Sequence, residues 1–486
     1  MDKVQHSFLT ALRRVVPSRL ILSSEDERSV YECDGLPIYR QLPLAVVLPE
    51  TVTQVQEILR LARDHAIPVV PRGAGTGLSG GALPHAQGIL LVLAKLNRIL
   101  HIDPLARLAT VEPGVRNLQI SEAAAPHGLF YAPDPSSQIA CTIGGNIAEN
   151  SGGVHCLKYG LTVHNVQSMV WVNADGERIV SGGSGLDGPG LDVMSLLVGS
   201  EGLLGVVVEA TVRLLPRPAE TVVVLAGFSS VTPAADAVAE IIGAGVVPAG
   251  LEMMDNLAIR AAEDYAAAGY PVEAAAILLL ELDGERYDVE AQLASVSEIL
   301  QRLGATSIRS ARDDAERRRL WAGRKGAFAA VGRLAPDYYC MDGTIPRARL
   351  ADVLASIEGL SRTYRLRVAN VFHAGDGNLH PLILFDGNDP DELRRALEFG
   401  GRILELCLEA GGSITGEHGV GIEKLDQMCL QFTPGALRQF QGIKQAFDPS
   451  RLLNPGKAVP ALARCAEFGR MHVHHGALRF PEIERF

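Results

Sequence analysis

Pro71-Arg72-Gly73-Ala74-Gly75-Thr76-Gly77-Leu78-Ser79-Gly80-Gly81 is the stretch whose reading decides the fold, and it follows a predicted strand over 67–70. Within it, Gly75-x-Gly77-x-x-Gly80 has the spacing of a dinucleotide-binding fingerprint, and Gly77-x-Ser79-x-Gly81 that of a hydrolase nucleophile elbow. Both motifs need a loop that opens directly into a helix, facing the phosphate in one case and supporting the serine in the other. Here Pro84 and Gly88 follow at once, and the next apolar run, 89–93, reads as strand. Both assignments therefore fail. What remains is a run of backbone N–H groups with few side chains in the way, which is an anion nest.

Working outward, 44–49 reads as strand and 51–65 as a helix, with Thr51 as its cap and Val55, Ile58, Leu59 and Ala62 as its apolar stripe. Residues 1–40 read as mainly helical and then irregular, with Asp34-Gly35 as a turn. Downstream, short alternating segments lead to a second glycine-rich loop over 144–153. Strands follow at 166–172 and 178–180 around an Asp175-Gly176 hairpin turn, and again at 205–215. Pro216-Arg217-Pro218 then punctuates the chain and sets a domain boundary. Beyond it, strands at 221–228, 276–282, 367–372 and 381–385 alternate with helices at 231–243, 286–303, 313–332, 347–364 and 390–409. Long helices among strands that close by hairpins predict an α+β fold with a mainly antiparallel sheet. The expected organisation is an N-terminal helical segment 1–40, a first domain 41–216, a second 217–458 that ends in a closing loop at 448–457, and a tail 459–486.

The chemistry concentrates in the second half, in His373-Ala374-Gly375-Asp376-Gly377-Asn378-Leu379-His380 and Gly416-Glu417-His418-Gly419. Apolar strands flank the first segment, so its intervening residues form a turn that brings both imidazoles to one end of a hairpin. Gly375 and Gly377 permit that turn, and Asp376 and Asn378 can bond its backbone. His373, His380 and Glu417 make a set that holds a divalent metal while leaving positions open for substrate. Zinc or manganese suits imidazole better than calcium does. His418, beside the carboxylate ligand, is placed to move a proton near neutral pH.

A chain of 486 residues exceeds one ordinary core, and 47% hydrophobic with 21% charged residues is a soluble globular composition. A net charge of −11 argues against nucleic acid as a partner. The charge-dense run 312–319 mixes signs and reads as a solvated helix face. Seven cysteines at irregular spacing, with no C-x-x-C, predict reduced thiols in a cytoplasmic setting and no iron–sulfur cluster of the chain's own. The amphipathic N-terminus is no secretory signal, and the longest apolar runs are too short for a membrane span. His472, His474 and His475 in the polar tail read as solvated or facing a partner rather than as a second metal site.

Six separated motifs, at 71–81, 133–153, 199–207, 373–380, 416–424 and 447–457, occur in an order that resembles the vanillyl-alcohol-oxidase-type flavoproteins, whose FAD-binding domain is the two-part PCMH type. Within that superfamily the chain is similar to the group of glycolate oxidase FAD subunits and the D-lactate and D-2-hydroxyglutarate dehydrogenases. The resemblance implies an FAD pyrophosphate wrapped by Gly73, Ala74, Gly75, Thr76, Gly77, Ser79 and Gly80. It implies an isoalloxazine and ribityl wall from Pro133, Asp134, Thr142, Gly145, Asn146, Ser151, Gly153 and Val154. Glu201 and Val206 would lie toward the adenosine end, and Asn454 belongs to the same cofactor set. The first loop has no histidine, so FAD is expected to be bound without a covalent bond.

The resemblance further implies oxidation of a small 2-hydroxy acid chelated by the metal. His418 would act as the base, hydride would pass to flavin N5, and Arg324 would pair with the substrate carboxylate. Cys340 stands where relatives that take a second carboxylate carry lysine, which favours a monocarboxylate such as glycolate or D-lactate. Expected partners are an iron–sulfur subunit and a second flavin-type subunit of a glycolate oxidase complex. Electrons would go to a partner or quinone rather than NAD, and contact with the inner membrane would be peripheral, through those subunits. A stand-alone D-lactate dehydrogenase, a metallohydrolase without flavin and a structural flavin subunit are the competing readings.

Overall fold

The computed structural model describes residues 3–183, 185, 190–461 and 464–465. Two sheets serve the N-terminal half. The first runs in the order Ile21–Leu22, Ala45–Val47, Ile89–Val92, Val69–Arg72, with the last three strands parallel. The second is antiparallel, in the order Ile99–Asp103, Leu108–Val111, Val206–Arg213, Val166–Val172, Arg178–Gly182. Helix Val52–Asp64 forms as expected. The Thr51 hydroxyl accepts from the Gln54 N–H at 3.2 Å, and Val55, Ile58, Leu59 and Ala62 are buried in the first core. Helix Lys3–Val15 packs Phe8, Leu9 and Leu12 into the same core, so the N-terminal segment completes this half of the molecule. No helix separates Val69–Arg72 from Ile89–Val92, and the first glycine loop leaves the carboxyl end of a parallel strand, where open sheets place their ligands.

The second glycine stretch departs from expectation: residues Ile143–Glu149 form a helix, ended by Asn150 at φ 53°. Glycine serves close packing there, because a Cβ on Gly144 would lie 2.7 Å from the Pro113 side chain. The predicted helix over 313–332 is two helices, Asp314–Lys325 and Ala327–Val331, divided at Gly326.

The second half is built on a seven-stranded sheet in the order Ser307–Ser310, Glu220–Phe228, Ala276–Gly284, Gly250–Asp255, Val368–Phe372, Pro381–Phe385, Asp337–Cys340, with every pairing antiparallel. Helices cover both faces. Val224, Ala226, Phe228, Leu278 and Leu280 pack with helices Val231–Gly243, Arg286–Arg302, Leu350–Tyr364 and Pro390–Glu409. Val223, Leu225, Ile277 and Leu279 face helices Asn256–Ala266 and Asp314–Lys325. Burial on both faces explains why these strands read as unbroken apolar runs rather than alternating ones.

The closing loop returns to the first half. The Val69 N–H donates to the Leu452 carbonyl at 2.9 Å, the Asn454 N–H donates to the Val69 carbonyl at 2.8 Å, and Leu452 and Leu453 are buried in the first core.

The expectation of seven reduced thiols is corrected: Cys429 and Cys465 form a disulfide, 36 residues apart in sequence with Cα atoms 5.3 Å apart. Sequence spacing gives no sign of the pair, because folding creates it. Ala458 N–H bonds the Gly421 carbonyl and Arg464 bonds Asp426, which brings Cys465 beside helix Leu425–Gln431. Cys33, Cys141, Cys156, Cys340 and Cys407 are free. His472, His474, His475 and most of the tail lie outside the described residues. Among the described residues no helix is long and apolar enough to cross a membrane.

Candidate active site

Val368–Phe372 and Pro381–Phe385 pair antiparallel, and the turn between them brings the His373 and His380 rings to 5.0 Å between centroids. Gly377 takes φ +81°, and a Cβ there would meet the Ile345 carbonyl at 2.2 Å, so this turn requires glycine. Asp376 accepts from the Asn378 N–H at 3.1 Å and rigidifies the turn, as its sequence position suggests. Glu417 reaches both imidazoles: its Oε1 lies 3.2 Å from His373 Nε2 and 3.3 Å from His380 Nε2. These three side chains converge closely enough for one cation to touch a ligand atom of each. Orphaned polar atoms support the fit, since neither His380 ring nitrogen has a hydrogen-bond partner among the described residues.

What holds the carboxylate loop is Asp342, fully buried and assigned no role by its sequence position. Its oxygens accept from the N–H groups of Gly416, Glu417 and His418 at 3.1, 3.1 and 2.9 Å. They also accept from Thr415 Oγ1 at 2.5 Å, Asn378 Nδ2 at 3.0 Å and Lys424 Nζ at 3.0 Å. One carboxylate thereby ties the histidine turn to the Glu417 loop. Burial alone would raise this carboxyl, but Lys424, His418 and His380 hold it well below its ordinary value. His418 stacks on His380 with ring centroids 4.9 Å apart and interplanar angle 9°, and its Nδ1 is unpartnered among the described residues. Burial pushes the His418 imidazole down to about 4, outweighing the attraction of Asp342, so the ring is neutral near pH 7.

Arg324, at the end of helix Asp314–Lys325, is fully buried. Its Nη2 lies 2.5 Å from Glu252 Oε2, while Nε and Nη1 have no partner among the described residues. Glu252 comes from strand Gly250–Asp255, which sequence reading overlooked, and its Oε1 is 2.9 Å from His373 Nδ1. A glutamate inside an otherwise apolar Leu251-Glu252-Met253-Met254 run is the signal that could have found it.

The first half supplies the other wall. A Cβ on Gly73 would meet Thr142 Oγ1 at 2.2 Å, so the first glycine loop lies against Thr142; Gly75 and Gly80 take φ +73° and +74°, and Gly77 faces open space. Ser79 Oγ, Thr142 Oγ1 and Asn146 Nδ2 are buried without hydrogen-bond partners among the described residues. Orphaned donors beside a side-chain-free loop fit a polar ligand such as FAD. Ala74 is exposed, with Thr76, Gly145 and Ser151 half-buried. Gly153 packs against Asp134, and Val154 is buried against Gly250. Glu201 accepts from the Val420 and Gly421 N–H groups at 2.7 Å, engaging the loop after His418. Val206 is a core residue paired with Val172. Asn454 donates to the Gly81 and Glu201 carbonyls at 2.9 and 2.7 Å, bracing the first loop from beneath. The two walls meet where a Cβ on Gly152 would come within 2.8 Å of Glu417 Oε2.

A charged network spans the same junction. His155 lies 3.0 Å from Asp134 Oδ1 and 3.2 Å from Glu281 Oε1, and Lys325 Nζ donates to Asp134 Oδ2 at 3.0 Å. Burial alone would lower the His155 pKa, but Asp134 and then Glu281 push it from its ordinary 6.5 up to about 10. A raised imidazolium contributes stability that is fully present below pH 6.5 and is lost as pH rises through about 10. The stability gap between wild type and H155Q, measured by urea unfolding, is therefore expected to shrink steadily between those two pH values. A gap that is constant across that window would remove His155 from the network.

A family profile described as an FAD binding domain matches residues 43–182, and one described as the C-terminal domain of FAD linked oxidases matches 217–458. A glycolate oxidase subunit, GlcD, of Escherichia coli strain K12 is 61% identical over 485 residues, covering 100% of this chain and 97% of that protein. A D-lactate dehydrogenase of Archaeoglobus fulgidus is 36% identical over 421 residues, covering 86% and 91%. Among solved structures, p-cresol methylhydroxylase superposes with a TM-score of 0.80 at 18% identity over 95% of this chain and 98% of that one, a likeness of fold.

Proposed function

This chain belongs to the FAD-linked oxidases, in the group of glycolate oxidase FAD subunits and D-lactate dehydrogenases, and from that premise we propose that it oxidises a small 2-hydroxy acid such as glycolate or D-lactate to the 2-oxo acid. One observation carries the reading: the ligand trio, the His418 ring with an unpartnered Nδ1, and Arg324, linked to His373 through Glu252, lie in a single cluster. When bound, FAD supplies the acceptor for the substrate's α-hydride, and a zinc or manganese ion held by His373, His380 and Glu417 supplies Lewis acidity. Arg324 pairs its guanidinium charge and a donor that Glu252 leaves free with the substrate carboxylate. His418 accepts the hydroxyl proton at its uncommitted nitrogen. Asp342 fixes the loop that presents His418, and the burial of Arg324, His373 and His380 limits bulk water at the reacting carbon.

FAD is held without a covalent bond by the loop Gly73 to Gly80 and the wall built on Thr142, Asn146 and Ser151. Gly77 tests the first part. It has an ordinary φ and nothing within 4 Å of its would-be Cβ, so valine there is expected to leave the apoprotein fold unchanged. Flavin affinity should fall about tenfold or more, a difference near 1.4 kcal/mol. Flavin titration followed by tryptophan fluorescence checks this, and undiminished affinity would take the loop out of the cofactor site.

Electrons leave to a partner or quinone rather than NAD, and by likeness to the glycolate oxidase subunit the partners are an iron–sulfur and a second flavin-type subunit. The likeness to D-lactate dehydrogenase keeps a stand-alone enzyme with a cytochrome or quinone acceptor as the second reading. The deciding experiment is an anaerobic visible spectrum with D-lactate and then glycolate. The flavin band should bleach with one or both acids, stay oxidised after chelator treatment, and bleach again when zinc or manganese is restored. A flavin band indifferent to both acids in metal-replete protein would refute the substrate class.

A further inference from the structure

We propose that Glu252 is the positioning residue that couples the two halves of this site, setting which nitrogen of His373 faces the metal position while aiming Arg324 at the substrate carboxylate. The assignment deepens the function proposed above and rests on it. Glu252 is 1% exposed and engages two groups at once: a hydrogen bond to His373 Nδ1 at 2.9 Å through Oε1 and an ion pair with Arg324 Nη2 at 2.5 Å through Oε2. An ionised carboxylate only accepts, so His373 must carry its proton on Nδ1. Once a cation displaces any proton on Nε2, that leaves the Nε2 lone pair for it, on the side of Glu417, whose Oε1 is 3.2 Å away. The partner of the non-ligating nitrogen sets the tautomer and orientation of a metal-binding imidazole.

The other oxygen does a different task. Arg324 is buried, and with Nη2 ion-paired to Glu252 its Nε and Nη1 remain without hydrogen-bond partners among the described residues. Strand Gly250–Asp255 fixes Glu252 directly beside the histidine hairpin, because Met253 pairs with Phe372, the residue before His373. Metal affinity and carboxylate recognition therefore depend on one side chain. A glutamate that merely neutralised Arg324 would not influence the metal.

Glu252→Gln separates these roles. The amide has one accepting and one donating end, so it cannot serve both neighbours. If its oxygen faces His373, its NH2 opposes the Arg324 donor. If its NH2 faces His373, the ring proton moves to Nε2 and blocks ligation. In flavin-loaded protein stripped of metal, titration with Zn²⁺ and with Mn²⁺ against a competing chelator should show affinity lowered by about 10–100-fold. KM for glycolate or D-lactate should rise in the same variant, with flavin content and melting temperature as folding controls. Glu252→Asp keeps the charge but is one methylene too short to span both partners, and it carries the test if the glutamine variant does not fold. It should lose affinity for both ion and acid to a smaller degree. Wild-type protein that takes up neither ion would overturn the functional reading and this assignment with it. Wild-type protein that binds an ion which the folded variant binds equally well would overturn the assignment alone.

Discussion

Replacing Asp342 with alanine is expected to lower folding stability by about 3–5 kcal/mol and to abolish turnover in whatever fraction stays folded. The substitution strips the Lys424 ammonium of its close carboxylate partner. Lys424 is fully buried, its next carboxylate oxygen, on Glu423, is 3.9 Å away, and the Gly419 carbonyl is left to solvate it. An unpaired buried cation costs far more than the hydrogen bonds lost with it, which contribute about 1 kcal/mol each. Against a typical total of about 5–15 kcal/mol, the loss is large. Asp342→Asn keeps the size and part of the accepting capacity but not the charge, so it should fall between. The sign of the pH dependence follows from the depressed carboxyl: its contribution is present above the unfolded value, near 3.8, and is lost as pH falls through the folded one. Urea unfolding with an anaerobic flavin-reduction assay checks both effects. A D342A protein within about 1 kcal/mol of wild type would show that the loop is held by something else.

Histidine 418 carries the second large effect. H418N should slow anaerobic flavin reduction by the substrate about 10²–10⁴-fold, equivalent to roughly 3–5 kcal/mol in the barrier, with flavin and metal content unchanged. The loop should survive, because it is the His418 backbone N–H that bonds Asp342 and not the ring. Stopped-flow reduction rates at saturating acid decide the matter. A rate within threefold of wild type would assign proton removal to another group.

Much of this site is legible in the sequence, because hairpin strands around HAGDGNLH force the two imidazoles together and the glycine loop's surroundings rule out a helix. The FAD-linked oxidase family and the antiparallel α+β plan follow from the same motifs. Glu252 and Asp342 are not legible in that way. Each is a lone acid whose role is defined by partners from distant segments, His373 and Arg324 for one and Asn378, the 415–418 loop and Lys424 for the other. Periodicity fails for the same reason at strand Gly250–Asp255, where burial on both faces erases the alternation and a charge looks like an interruption. The helix Ile143–Glu149 was hidden by its glycines, which serve close packing against Pro113 rather than flexibility.

The return of Leu452, Leu453 and Asn454 to the first half has a consequence for biosynthesis. Asn454 bonds the Gly81 carbonyl from 373 residues further along the chain. In chain order the whole seven-stranded half is an insertion between the first glycine loop, the proposed cofactor cradle, and the piece that braces it. On the ribosome the cradle therefore waits, incomplete, while the rest is translated, a high-contact-order arrangement that folds late. Flavin capture then reports that nearly the entire polypeptide has been made and has closed upon itself.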